Sequence, residues 1–199
     1  MHEDERQKRH EKICKAAYRM LAQHGYGGTS MLRIATAAKA SNETLYRWYG
    51  DKDGLFKTMV QDNAREAKQL LVEALDCDDD PRTTLESVAP IFLRMILGER
   101  AILLNRAAAA DPSGALGATI SAGGRAEIVP LFFQLMKRLC AGSCCEPAIA
   151  IDWFLGLLVG DLQVKRIIHQ REALTDEDIE SRCKMALGAF RRLIDSHLM

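Results

Sequence analysis

The chain has 199 residues, of which 48% are apolar, and its 27 basic residues balance its 27 acidic ones. This apolar content is enough to build a folded core. The six cysteines are scattered and lack the regular framework of a small secreted domain, so we expect reduced thiols in a cytoplasmic protein. The charged N-terminus lacks the apolar core of a signal peptide, and no apolar run reaches the roughly 18 residues of a membrane span.

Charge is divided unevenly along the chain. Residues 1–60 hold 11 Lys and Arg against 7 Asp and Glu, which makes this part +4. The remaining 16 basic and 20 acidic residues make residues 61–199 −4. Such asymmetry is typical of a basic module that meets a polyanion, joined to a body that does not.

Hydrophobic periodicity is helical almost throughout, and no convincing strand alternation is flanked by hairpin turns. We therefore predict an all-α fold of about nine helices. The first helix stops at Gly25, Thr29 or Ser30 caps the second, and Ser41 caps a short third helix. The second helix is predicted to bury four apolar side chains, those of Leu32, Ile34, Ala35 and Ala38.

A fourth helix begins after Asp51, which can cap it, and ends at the acidic segment 76–81. This segment is the expected hinge. We therefore divide the chain into a head of residues 1–52, a linking helix of about residues 52–75, and a body of residues 76–199. Helical patterns in the body cover residues 83–97, 99–109, 124–140, 147–170 and 176–197, with a loop or short helix at 111–124.

The third helix combines an anchoring face with a polar face. Residues three and four apart share a side of a helix, so Leu45, Trp48 and Tyr49 are expected together, with Trp48 and Tyr49 pointing inward to pack on the first helix. A short helix that follows another across a tight turn is typical of a helix-turn-helix. The opposite face holds the groups that contact base edges and phosphates in a major groove, on Asn42, Glu43, Tyr46 and Arg47.

The next helix begins with a further candidate phosphate contact. Lys52 offers an ammonium group where the free backbone N–H groups of a helix start also favour an anion. An alternative stays open on this pattern alone, because two short helices joined by a turn also occur as a solvated hairpin with ordinary surface polarity.

Residues 16–56, AAYRMLAQHGYGGTSMLRIATAAKASNETLYRWYGDKDGLF, resemble the N-terminal head of the TetR family of bacterial transcriptional regulators. The resemblance implies a three-helix DNA-binding head and an all-α body that binds ligand and dimerises. It also implies a homodimer that usually represses transcription and releases operator DNA when a small molecule binds. The candidate DNA contacts are Ser30, Arg33, Ser41, Asn42, Glu43, Thr44, Tyr46, Arg47 and Lys52.

The resemblance also suggests roles for individual side chains. Ser30 and Thr44 resemble phosphate or groove contacts, Tyr46 a phosphate contact, and Arg47 a base or phosphate contact. Lys52 occupies the position of the signature's phosphate-binding lysine.

The chain departs from the family pattern at two places. Lys39, Ala40 and Ser41 stand where Gly-Val-Ser is more common, so a side chain must occupy a backbone position usually given to glycine. Glu43 replaces a small or neutral residue. Near phosphates its carboxylate would weaken nonspecific binding, and at a base edge it would favour cytosine.

The last two predicted helical segments carry long apolar stripes. Gly156 and Gly160 permit close helix approach, and family members dimerise through a four-helix bundle of their last two helices. We favour a dimer interface over protomer core for this stripe. Its members are Trp153, Gly156, Leu157, Gly160, Val164, Cys183, Leu187, Phe190 and Ile194.

Large apolar side chains of the central segments provide a candidate pocket for an apolar or amphipathic effector, with Arg106 as a possible polar anchor. The alternative is that these side chains simply fill core. The candidate ligand contacts are Phe92, Met95, Leu103, Arg106, Leu131, Leu135, Trp153 and Phe154.

A thiol- or metal-responsive switch is the main alternative mechanism. Cys140, Cys144 and Cys145 lie close in sequence, but no histidine lies nearby to complete a zinc set. We therefore expect no resident metal and no cofactor.

Two other functional classes fit the sequence less well. The chain lacks a Gly-x-Ser-x-Gly elbow, a His-Glu-x-x-His helix and a phosphate-binding glycine loop, so it is not expected to be an enzyme. A helical adaptor that binds only protein would account for the apolar stripes. It would leave the polar face of Tyr46, Arg47 and Lys52 without a role.

Overall fold

The computed structural model describes residues 3–77, 79–141 and 145–196. Over these ranges the chain is helical and has no strand, which confirms the all-α class. The helices are α1 (Glu3–His24), α2 (Met31–Ala38), α3 (Asn42–Tyr49), α4 (Lys52–Asp76), α5 (Pro81–Leu97), α6 (Glu99–Ala109), α7 (Ala115–Ile120), α8 (Ala126–Leu139), α9 (Pro147–Leu158), α10 (Leu162–Ile167) and α11 (Asp176–Asp195). A short π-helical segment, Ser121–Arg125, precedes α8.

The helices form two compact units. The first combines the described residues up to Asp62 with Leu103–Gly124. The second combines Asn63–Ile102 with the described residues from Arg125 onward. Helices α4 and α6 therefore each contribute residues to both units. None of the described helices is both long and apolar enough to cross a membrane.

Helices α1, α2 and α3 share an apolar core in the first unit. Ile13, Ile34 and Leu45 are fully buried there. The prediction that Leu32 belongs to this core is wrong, because its side chain is 63% exposed and Met31 is buried instead. A buried helical face repeats at three- and four-residue steps, and in α2 that repeat starts from Met31, one residue earlier than predicted.

The core of the second unit contains a row of aromatic rings contributed by α5, α8, α9 and α11. Ring centroids are 5.2 Å apart for Phe92 and Phe132, 6.0 Å for Phe132 and Phe154, and 5.5 Å for Phe154 and Phe190. Tilted and edge-to-face pairs at these distances add to the hydrophobic gain from burial. The row therefore helps to fix α9 and α11 against the rest of this unit.

The prediction of one continuous helix over residues 147–170 is wrong, because the helix is interrupted between Leu158, where α9 ends, and Leu162, where α10 begins. Arg182 Nε donates to the carbonyl oxygen of Leu158 at 2.8 Å and so satisfies a terminal acceptor of α9. Gly160 then has a φ of +51°, in the left-handed region that favours glycine. After α10, His169 also has a positive φ of 60°, which ends the helical path before residue 170.

Candidate nucleic-acid interface

Local capping contacts define the start of each helix in the α2–α3 pair. Ser30 Oγ accepts from the backbone N–H of Arg33 at 3.3 Å, and Ser41 Oγ accepts from that of Thr44 at 3.1 Å. Between them, Lys39 takes φ 53° and ψ 43° and donates its N–H to the last turn of α2. The structure thus confirms the predicted Ser41 cap and a side chain in a glycine-type conformation at the turn.

The inward face of α3 is held against α1. Leu45 is fully buried, whereas Trp48 and Tyr49 are half-buried. The Arg6 guanidinium lies 5.5 Å from the centre of the Trp48 ring, and the Tyr49 hydroxyl lies 2.9 Å from His10 Nδ1. The predicted anchoring stripe is therefore present, with its aromatic residues also making polar contacts to α1.

The outward face of α3 is formed by Glu43, Tyr46 and Arg47. All three side chains are exposed, and Tyr46 retains 49% of its accessible surface. Because α3 is fixed through its other face, these groups are presented from a defined position. A phenol, a guanidinium and a carboxylate in this arrangement can bond to phosphates and base edges.

Two other α3 candidates are less accessible. Thr44 is 7% exposed, and its hydroxyl lies 2.7 Å from Ser41 Oγ. This placement argues against Thr44 as a direct DNA contact. Asn42 is half-buried, and its Oδ1 atom is buried without a hydrogen-bond partner among the described residues. Its amide is thus only partly available to DNA.

Two basic residues predicted to contact DNA, Arg33 and Lys52, donate hydrogen bonds to backbone carbonyls within the head. Arg33 Nη1 donates to the Gly28 carbonyl oxygen at 2.8 Å. Lys52 Nζ donates to the Tyr26 carbonyl oxygen at 3.0 Å and lies 3.8 Å from the centre of the Tyr26 ring. Burial, followed by the hydrogen bond to Asp53, raises the pKa of the Tyr26 hydroxyl, so this group stays protonated and donates to Asp53. Lys52 therefore has a structural role that the sequence analysis did not predict.

A basic groove in the first unit was also missed by the sequence analysis. It lies along α1 and reaches the end of α2, with a volume of about 690 Å³. The basic residues that line this groove are Lys8, Arg9, Lys12, Lys15, Arg19 and Lys39. Lys8, Lys12, Lys15 and Arg19 recur every three or four residues along α1, and this spacing was the signal that would have identified a common face.

The stripe predicted to form the dimer interface divides into buried and exposed residues. Cys183, Phe190 and Ile194 are buried in the core of their own unit, so a second chain cannot reach them directly. Leu157, Leu187 and Trp153 are half-buried, whereas Gly156, Gly160 and Val164 are exposed. Other large apolar side chains near these helices are exposed instead, on Ile149, Ile168, Met185 and Leu193.

The predicted ligand contacts also divide, here between the two units. Phe92, Leu135 and Phe154 are packed in the core of the second unit, and Met95, Leu131 and Trp153 are half-buried around it. Leu103 and Arg106 belong to the first unit. The second unit contains a buried cation that was missed by the sequence analysis, Arg166, which pairs with Glu99.

Part of the predicted thiol cluster can be located. Cys140 and Cys145 are buried, and Cys144 lies outside the described residues. Buried thiols react slowly with oxidants, so their placement weakens the thiol-switch alternative.

The head matches a known family. Residues 13–59 match the family model for bacterial regulatory proteins of the tetR family. A crystal structure of a TetR transcriptional regulator from Agrobacterium tumefaciens has the same fold, with a TM-score of 0.69, 28% identity and coverage of 96% of this chain and 98% of that one. The chain therefore resembles TetR-family regulators, in sequence through residues 13–59 and in fold over nearly its whole length.

Curated relatives match less than half of the chain. The regulator BetI of Stenotrophomonas maltophilia is 28% identical over 81 residues, which cover 40% of this chain and 41% of that protein. The repressor AcnR of Corynebacterium glutamicum is 29% identical over 63 residues, covering 32% and 34%. The chain thus spans less than half the length of these curated relatives. They are named as regulators of transcription and not as enzymes, which agrees with the prediction that this chain is not an enzyme.

Proposed function

We propose that this TetR-family chain is a homodimeric, sequence-specific DNA-binding regulator in the cytoplasm, and that it represses transcription until a small molecule releases it. The observation that carries the proposal is the exposed pair Tyr46 and Arg47 on a helix anchored by Leu45. A guanidinium can donate two parallel hydrogen bonds to guanine, and a phenol can bond to phosphate. The repressor relative AcnR supports the direction of regulation.

The basic groove along α1 supports a polyanion as the partner. Lysine and arginine side chains that neutralise phosphates release counterions, which makes affinity fall as salt rises. A protein-only adaptor would leave both this groove and the polar face of α3 unexplained. The groove therefore favours DNA over the adaptor alternative.

Dimerisation is supported by exposed apolar side chains on the packed pair α9 and α11. Ile149 on α9 and Met185 on α11 are 43% and 52% exposed, so each helix of the pair leaves a large apolar side chain uncovered. A two-fold interface uses the same surface on both chains. Two heads held about 34–36 Å apart, or at a multiple of that distance, could then enter successive major grooves of a palindromic site.

The proposed effector is an apolar or amphipathic molecule that binds the second unit. Its half-buried apolar side chains, Met95, Leu131 and Trp153, are more accessible to a ligand than Phe154, which is fully buried. If the ligand prefers a conformation with low DNA affinity, DNA must lower ligand affinity by the same factor. An effector at this position should change Trp153 fluorescence in a Trp48→Phe variant, and unchanged emission on release of DNA would place the ligand elsewhere.

The proposed function can be tested by gel-shift assays with genomic fragments that include the DNA beside the chain's own coding region. The expected result is salt-sensitive binding to a fragment that contains an inverted repeat. Reduced, metal-free and ligand-free protein should be used, so that an inducing condition does not hide binding. Absence of selective binding across these conditions would contradict the proposal and favour an adaptor.

A further inference from the structure

Three potential metal ligands converge in the first unit, outside the surface proposed to bind DNA. His10 and Cys14 lie one helical turn apart on α1, and Asp62 approaches from α4. His10 Nε2 is 2.6 Å from Asp62 Oδ2 and 3.5 Å from Cys14 Sγ. One imidazole nitrogen, the thiol sulfur and one carboxylate oxygen all lie within 4.8 Å of one another.

The spacing of these atoms suits a metal ion. Zinc binds sulfur, nitrogen and oxygen at about 2.0–2.3 Å in a tetrahedral arrangement. Ligand atoms bound in this way are separated from one another by roughly 3–4 Å, so only small side-chain movements would be needed here. A thiolate ligand also disfavours Mg²⁺ and Ca²⁺, which prefer oxygen.

Burial of the cluster is intermediate. The side chains of His10 and Asp62 are 16% and 19% exposed, and Cys14 is half-buried. An ion can therefore enter from solvent, while the two helices restrict the ligands. Three protein ligands leave one tetrahedral position for water.

Tyr49 provides the second contact that a metal-bound histidine usually needs. Its hydroxyl oxygen is 2.9 Å from His10 Nδ1, the ring nitrogen that faces away from Asp62. When Nε2 binds a metal, Nδ1 carries the proton and can donate it to this oxygen, which fixes the ring orientation.

We propose that His10, Cys14 and Asp62 form a zinc-binding site in the first unit. Binding to neutral His10 through Nε2 releases the Cys14 thiol proton, and the remaining imidazole proton resides on Nδ1. The charge of Zn²⁺ is then balanced by one thiolate and one carboxylate. The ion would link α1 to α4 and stabilise the folded first unit, since it binds the native arrangement and not the unfolded chain.

The alternative for the same residues is a hydrogen-bond network only, in which His10 joins Asp62 to Tyr49. Both interpretations fit the distances, but only the metal site predicts a sulfur–metal bond. Zinc binding at this cluster does not require DNA, so its test can use the isolated 199-residue chain.

The test is a Co²⁺ titration of the reduced, chelator-treated full chain, followed by absorption spectroscopy. A thiolate-to-cobalt charge-transfer band is expected at one Co²⁺ per chain, and Zn²⁺ should displace it. The band should be lost in Cys14→Ser and retained in the matched control Cys77→Ser, which alters an exposed thiol. It should also be retained when Cys140, Cys144 and Cys145 are replaced together by serine.

Further variants and a thermal melt distinguish a metal site from a disturbed fold. Tyr49→Phe should keep the band but weaken Co²⁺ binding by about 10–100-fold, because it removes the outer-shell partner. Zn²⁺ should raise the melting temperature of the wild-type protein but not that of Cys14→Ser. No charge-transfer band in the wild type would overturn the proposal. So would a band that survives in Cys14→Ser and disappears only in the triple serine variant.

Discussion

At the scale of single residues, Lys39 shows the cost of closing the α2–α3 turn without glycine. Its φ of 53° is in the left-handed region, where a side chain costs roughly 1–2 kcal/mol. Glycine would relieve this strain but would also make the unfolded chain more flexible, at a cost of about 0.4–1 kcal/mol. We expect Lys39→Gly to raise the free energy of unfolding by about 0.5–1 kcal/mol in urea denaturation.

Lys39→Ala is the control for that experiment, because it removes the same charge but keeps a side chain at positive φ. It should give no comparable stabilisation. Equal gains in the two variants would show that charge, and not backbone strain, is responsible.

Lys52 is expected to stabilise the head as well as to attract DNA. Lys52→Met removes the hydrogen bond to the Tyr26 carbonyl and the contact with the Tyr26 ring, while keeping the apolar stem. Because Lys52 is half-buried, we expect a loss of about 1–2 kcal/mol in thermal or urea unfolding. Lys57→Met, an exposed change on the same helix, should cost much less. Equal effects of the two changes would contradict a structural role for Lys52.

At the scale of secondary-structure elements, Asp80 caps the start of α5. Its carboxylate accepts from the backbone N–H of Thr83 at 2.8 Å and from the Thr83 hydroxyl at 2.7 Å. These hydrogen bonds hold the pKa of Asp80 below its ordinary value. A lowered native-state pKa contributes stability above the unfolded-state pKa of about 3.9, and that contribution is lost as pH falls through the native value.

Asp80→Asn should therefore flatten the acid side of the stability profile, because asparagine can cap the helix but does not titrate. The measurement is the melting temperature between about pH 6 and pH 3, with Asp79→Asn as the charge-matched control. A profile for Asp80→Asn as steep as that of Asp79→Asn would show that the cap has no effect on acid stability.

The helix starts could be predicted from sequence because their signals are local. Ser30, Ser41 and Asp51 each provide a capping group within three residues of the donor that it satisfies. The break after Leu158 has only one local signal, Gly160. Its other contact comes from Arg182, which lies 24 residues further along the chain, and a long apolar pattern gives no indication of that contact.

The candidate sites were predictable only where one helix determines them. The exposure of Tyr46 and Arg47 follows from the periodicity of α3 alone. The burial of Phe190 and the convergence of His10, Cys14 and Asp62 require packing between helices, which spacing along one chain segment does not reveal. Leu32 shows the smaller error that arises when a helical stripe is started from the wrong residue.

At the scale of the whole molecule, the predicted dimer stripe contains both exposed and buried residues, and mutations of the two kinds should have different consequences. Met185 is 52% exposed on α11, whereas Phe190 on the same helix is 1% exposed. Met185→Glu should give folded monomers, because it places a charge in the proposed apolar interface. Phe190→Ala should instead lower the free energy of unfolding by about 3–5 kcal/mol. Sedimentation and thermal melting would separate these effects, and an unchanged dimer in Met185→Glu would place the interface elsewhere.

Sequence-specific DNA binding through α3 is the central claim, and fluorescence anisotropy with a labelled operator duplex tests it most directly. Wild-type protein should prefer the operator over a scrambled duplex by about 10³-fold or more, with affinity falling as salt rises. Arg47→Ala should cost about 1–3 kcal/mol and relax selectivity at one base position, whereas Lys184→Ala, on α11, should leave binding unchanged. Equal affinity for operator and scrambled DNA, or the same small effect for both variants, would contradict the account.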